Sequence, residues 1–207
     1  MLTAHEVAKW FIFHNPELAS GFIDENTKVN KLLYFSNLMY RCVKDNKLIE
    51  DDFVAFPNGP VVYSIYRDYR YNSLSTLPIE SPIIEGIQKQ VLEIVNFVYG
   101  NYSTKELVEE SHTHSQWKNV KHLIPGNPKI DFDNVDDELV SYYQALFSTY
   151  SELDFSKIGK EKICGNVYYY YKDIFNMTDE VIEKLSMFES FDEPKFIEMI
   201  DGELVMS

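Results

Sequence analysis

The chain reads as a mainly α protein with β content (α+β). The expectation is a compact helical domain with a small antiparallel hairpin, then a C-terminal helical segment ending in a β-hairpin. Three observations predict it. Apolar residues return at helical spacing in several stretches. A Pro57-Asn58-Gly59-Pro60 turn punctuates the first half. Near the C-terminus Asp201-Gly202, a favoured type I′ hairpin turn, stands between two short apolar runs.

The elements follow in order. Ala4, Val7, Ala8, Phe11 and Ile12 predict a helix over 3–14, ended by Asn15-Pro16. After a loop through Ser20-Gly21, Thr27 is expected to cap a longer helix. Val29, Leu32, Leu33, Ser36, Met39, Tyr40 and Val43 share one of its faces, and Lys28, Lys31, Asn37 and Arg41 occupy the other. Leu48-Ile49 and Phe53 to Phe56 read as a short hairpin about an acidic turn, Glu50-Asp51-Asp52. The Pro-Asn-Gly-Pro turn then aims a helix over 62–69, with Ile65 and Tyr66 inward. Residues 72–82 are a loop. Ile87, Val91, Ile94, Val95 and Val98 mark a helix that stops at Gly100. Ser103 and Glu106 form a capping box for a helix running to about His112, and Trp117 opens a further helical turn.

Residues 1–127 are therefore read as the helical domain, and 128–207 as an acidic C-terminal extension. Within the extension, Pro128 to Val135 looks like a linker. Asp136 caps a helix containing Leu139, Val140, Tyr143, Leu146, Phe147 and Tyr150. Residues 153–166 read as irregular. Val167 to Phe175 reads as a core strand or as an adhesive aromatic segment, and Thr178 caps a helix ending near Phe188.

Charge is unevenly placed. The 207 residues carry a net charge of −14; residues 131–207 hold 6 basic and 18 acidic side chains, or −12. Such a field repels phosphate backbones and attracts basic partners over a Debye length, roughly 8 Å at physiological salt. The only basic concentration is Lys28, Lys31, Arg41, Arg67 and Arg70. Pairing with nearby carboxylates explains it better than a nucleic-acid site, so no nucleic acid is expected. No stretch has the length and apolarity of a membrane span, and no signal peptide opens the chain. Cys42 and Cys164 lie far apart, outside any Cys-x-x-Cys, and Cys42 falls in a helical pattern that buries it. These features suit the reducing cytoplasm.

Chemical motifs are sparse. No Gly-x-Ser-x-Gly, phosphate-binding glycine loop or His-Glu-x-x-His occurs. His112 and His114 bracket Thr113, but on a helix two such rings diverge. The expectation is that one bonds a backbone carbonyl beside Trp117, with no metal and no cofactor. Tyr63, Tyr66, Arg67, Arg70 and Trp117 are residue types that dominate protein interfaces, and Tyr63 and Arg67 are expected on the outside.

Three segments together carry a resemblance. Lys28-Val29-Asn30-Lys31-Leu32-Leu33-Tyr34-Phe35, Phe56-Pro57-Asn58-Gly59-Pro60-Val61-Val62 leading to Tyr66, and Ser111-His112-Thr113-His114-Ser115-Gln116-Trp117 are similar to segments of the Panacea-domain antitoxin family, in the same order. Gln116 stands where that family has proline before tryptophan. The likeness spans about residues 1–125, with Asn30, Lys31, Tyr34, Asn58, Gly59, Pro60, Tyr66, His112 and Trp117 as its defining positions. The family includes phage- and mobile-element-associated proteins. The resemblance implies an antitoxin-like protein, not an enzyme, that neutralises a cognate toxin by direct contact. The −12 charge of residues 131–207 adds the expectation that this toxin is basic. One alternative is an adaptor delivering the toxin to a protease. A second is a metal-dependent enzyme using His112 and His114.

Overall fold

A computed structural model describes residues 1–20, 23–71, 74 and 80–207. Gly21 and most of the loop read over 72–82 lie outside the described residues. The chain divides into two compact units, Met1–Ser151 and Glu152–Ser207.

The first unit is organised around one helix. α2 (Ile23–Lys44) is packed by α1 (Ala4–His14), α3 (Tyr63–Arg70), α4 (Gly86–Tyr99), α5 (Thr104–Thr113) and α7 (Asp137–Tyr150). Every residue from Val29 to Met39 is buried, including Lys31 and Asn37. The polar face expected on this helix is therefore absent over that span. A helix enclosed on all sides cannot keep one, and each polar side chain must find a partner. Asn37 Oδ1 accepts from the amides of Leu48 and Ile49, at 3.1 and 3.0 Å. Thr27 is interior: α2 starts a turn earlier, with Asp24 and Glu25 against its positive end.

The small hairpin also differs from expectation. β1 (Phe53–Phe56) pairs antiparallel with β2 (Gly59–Val62), so its turn is Pro57-Asn58 and not the acidic triplet. Ile49 instead bridges Leu2, and Asp51 Oδ2 accepts from the amide of Ala4 at 2.8 Å at the start of α1. Asp51 thus serves a helix N-terminus, while Asp52 pairs with Lys129. The stretch expected as a linker is pinned to β1 by Ala55 N to Pro128 O and Ile130 N to Phe53 O, both 2.8 Å, with Ile130 and Phe132 buried. Asp136 caps α7, and Thr3 and Ser103 make full capping boxes on α1 and α5. α6 (Ser115–Lys118) contains Trp117.

The second unit is a four-stranded sheet in the order β3-β4-β5-β6 with one helix. β3 (Ile158–Ile163) and β4 (Asn166–Tyr171) form a hairpin, and α8 (Asp179–Ser186) crosses over to β5 (Lys195–Ile200), which runs parallel to β4. β6 (Glu203–Met206) closes the terminal hairpin at Asp201-Gly202, both with positive φ. β3 occupies residues expected to be irregular. The Cys164-Gly165 pair, also both at positive φ, forms its two-residue turn. Tyr168, Phe175, Leu185 and Ile197 form the core, so the aromatic strand is largely structural.

Candidate functional site

The three segments singled out in the sequence meet at one turn. Gly59 sits at φ +95°, where a side chain is strained, and a Cβ there would come within 2.5 Å of Ser111 Oγ and 2.8 Å of Lys31 Cε. Glycine is thus required twice, by conformation and by space. Asn58 has no positive φ. The turn is gripped from three helices. Lys31 Nζ donates to the Pro60 carbonyl at 2.9 Å, Trp117 Nε1 to that of Phe56 at 3.1 Å, and the His112 ring to that of Pro57. From α2, Asn30 Oδ1 accepts from the amide of Val62 at 2.9 Å, while its Nδ2 donates to the Asn26 carbonyl. Prolines at 57 and 60 have no amide to offer, so the turn presents carbonyls, and the chain supplies donors.

Burial sets the chemistry of these groups. Lys31 is wholly enclosed, and desolvation pulls its ammonium pKa down to about 7. His112 is lowered by desolvation first and by the Lys31 charge second. Its ring stacks on Trp117 at 3.7 Å, and Lys121 lies over the same indole. His114 turns elsewhere: Nδ1 meets the Tyr34 hydroxyl at 3.1 Å, and Nε2 lies 3.5 Å from Glu110 Oε1. The two rings therefore engage different partners. Among the described residues no group of three or more His, Cys, Asp or Glu is placed to hold a metal.

The outer side of the turn is different. Pro57 and Asn58 are exposed, and Tyr63, at 53% exposure, and Arg67 project from α3. Tyr66 is half-buried, its ring 5.1 Å from Phe56 and its hydroxyl accepting from Arg70 at 3.3 Å. Tyr69, not Tyr66, takes the fully buried position, bonding the Leu18 carbonyl. Arg67 pairs with Asp68, which also pairs with His5, and Arg41 pairs with Asp45. With Lys31 enclosed, the basic residues do not form one surface. Tyr63, Tyr66, Arg67 and Arg70 share α3, whereas Trp117 is half-buried against His112, with its indole N–H committed to the turn.

Residues 29–118 match the family model described as antitoxin SocA-like, Panacea domain. This segment is similar to a Panacea domain. Its three motifs are the strand–turn–helix, the α2 segment and the α5–α6 junction that together hold the turn. No curated protein and no solved structure matches the chain. This likeness supports an antitoxin-like role and suggests a non-enzymatic one, with a protein partner. Among the described residues no helix is long and apolar enough to cross a membrane. Sequence reasoning missed Asn26 and gave Ser111 no role of its own, because their importance lies in contacts across the chain. The Glu110–His114 spacing of four was legible.

Proposed function

We propose that this chain neutralises a toxin by binding it directly, with the outer side of the clamped turn as the contact. The observation that carries the reading is the division of labour in the Panacea motifs. Asn30, Lys31, Tyr34, Gly59 and Pro60 are enclosed, and the donors of Lys31 and Trp117 are committed to the turn. What remains outside is Asn58, Tyr63 and Arg67 on a backbone that cannot relax. A fixed backbone adds no ordering cost of its own on docking, and Tyr and Arg are residues that dominate interface energetics. The acidic stretch Asp131, Asp133, Asp136, Asp137 and Glu138, all in the first unit, favours a basic toxin by speeding encounter.

Co-expression with the product of the neighbouring reading frame tests this. The expected result is a toxic product made harmless, recovered as a complex, with Tyr63→Ala plus Arg67→Ala lowering affinity by about 30-fold or more, the loss of at least one hot spot. A harmless neighbour, or one equally toxic beside this chain, ends the proposal. Toxin half-life separates occlusion from proteolytic delivery: occlusion leaves it unchanged or longer, and an adaptor shortens it.

A further inference from the structure

The sheet of the second unit has two edges, and they are not alike. β3 forms one, and its middle residues Lys160, Glu161 and Lys162 are all exposed. Charges of that kind keep another strand from adding to a sheet. β6 forms the other edge. Its Leu204, Val205 and Met206 carry no charge and no proline, and each is half-buried. Among the described residues no strand pairs with the outer side of β6.

The register says which backbone groups lie on that side. Phe196 and Ser207 exchange both of their backbone hydrogen bonds, at 3.0 and 2.9 Å. Bonded pairs alternate along an antiparallel ladder, so Glu198–Val205 and Ile200–Glu203 are the next two. The amides and carbonyls of Leu204 and Met206 therefore point away from β5. The side chains add a second observation. β5 pairs with β4 only at Lys195 and Phe196, so the hairpin is two-stranded toward its tip. There Met199 and Ile200 are 46% and 48% exposed. Met199 shares a face with Ile197, Leu204 and Met206, the face that packs on the small core.

We propose that β6 pairs antiparallel with β6 of a second copy of this chain, about a two-fold axis through Val205. In that register Leu204 of each copy exchanges both backbone hydrogen bonds with Met206 of the other. On the core face, Ile197 and Met206 of one copy are followed by Leu204 and Met199 of the second, so an apolar row runs unbroken across the seam. Glu203 faces Ser207 of the second copy, so no like charges lie opposite each other there. The strand is thus complementary to itself, and nothing in Leu204-Val205-Met206 selects a foreign strand. With β3 guarded by charge, pairing closes at two copies and does not grow into a filament. The surface lies on the second unit and does not depend on the toxin contact placed on the first.

The test uses the full chain in sedimentation equilibrium. A monomer–dimer equilibrium with a Kd of about 100 μM is expected, as suits a small interface. Val205 lies outside the small core, so Val205→Glu should leave the thermal midpoint unchanged. It sets two carboxylates opposite each other at the axis and should raise the Kd at least about tenfold. Cross-linking reads the register independently. Cys164→Asn first removes the exposed thiol, and asparagine accepts the positive φ of that turn. In that background Val205→Cys brings two thiols together at a Cα separation of about 4.5 Å, within disulfide reach. Mild oxidation should give a covalent dimer, whereas Glu203→Cys, which faces Ser207, should cross-link far less. If Val205→Glu lowers the thermal midpoint, the cross-linking decides. A monomer at millimolar concentration, a dimer indifferent to Val205→Glu in a folded chain, or equal cross-linking at 203 and 205 overturns the proposal. A monomer whose toxin binding is weakened by Val205→Glu overturns the second copy as the occupant and gives the edge to a strand of the toxin.

Discussion

The two units of this chain are held together by different means. Met1–Ser151 buries Asn15, Asn26, Asn30, Lys31, Ser36, Asn37, Ser111, His114 and Gln116, and spends most of them on backbone groups distant in sequence. Glu152–Ser207 has one buried polar residue among those described, Asn166, and a core of four large side chains. Its order comes from two hairpins whose turns, Cys164-Gly165 and Asp201-Gly202, carry positive φ. Long-range polar clamps specify the first unit, and local turn chemistry specifies the second. A function that needs one rigid surface belongs on the first.

The largest effect is expected where the second unit is weakest. A unit of this size carries about 3–8 kcal/mol in all, at ~0.05–0.15 per residue. Leu185→Ala removes a wholly buried core side chain at a cost of about 2–5 kcal/mol. Amide signals of residues 158–206 should collapse toward random-coil positions while those of the first unit keep their dispersion. Retained dispersion in 158–206 would mean that the small core is not what holds that unit.

Two glycines sharpen the contrast. Both Gly59 and Gly202 have positive φ, +95° and +82°, so alanine at either is strained by about 1–2 kcal/mol. At Gly202 the added methyl meets nothing within 4 Å; at Gly59 it meets Ser111 and Lys31. Overpacking adds about 1–3 kcal/mol there. Urea denaturation should show Gly59→Ala losing about 2–5 kcal/mol and Gly202→Ala about 1–2. Equal losses would show that the space around the clamped turn is not tight.

The same contrast explains what was legible beforehand. Helical spacing, capping residues at Thr178, Asp136 and Ser103, and the Asp-Gly turn are local signals, and each element they mark is present. The motif match led to the turn and its neighbours. The partners of β1 were misread, because Glu50-Asp51-Asp52 resembles a turn until Asp51 is seen capping a helix nearly fifty residues earlier. Lys31 and Asn37 were placed on a polar face, because a sequence does not say that a helix is surrounded on every side. The Cys164-Gly165 turn was local and could have been read from its glycine alone.

Lys31 offers a pH test of the first unit. Its folded pKa, about 7, lies below its ordinary value of 10.5. The unfolded chain then binds more protons between those values, so stability rises as pH increases through that window, by up to about 1.4 kcal/mol per unit. Below about pH 7 the desolvation cost is present in full. His112 titrates at lower pH, and Cys42, raised by burial to about 12, binds its proton more tightly in the folded state only above its ordinary 9.0. Between pH 7 and 9 the slope therefore reports Lys31. Denaturation of Lys31→Met against pH should flatten it, and an unchanged slope would place the titration elsewhere.

The smallest effect on stability is expected at the tip of the turn. Asn30 and Asn58 carry the same side chain on opposite sides of it. Asn30→Ala strands the Val62 amide inside the unit, at about 1–3 kcal/mol. Asn58 is exposed and lacks a positive φ, so Asn58→Ala should stay within about 0.5 kcal/mol of the parent in urea. If the outer side of the turn is the contact, that nearly silent change will weaken toxin neutralisation, whereas Asn30→Ala will lower neutralisation only as far as it unfolds the chain. A neutralisation titration normalised to folded protein separates the two, and a normal titre for Asn58→Ala would move the contact away from the tip.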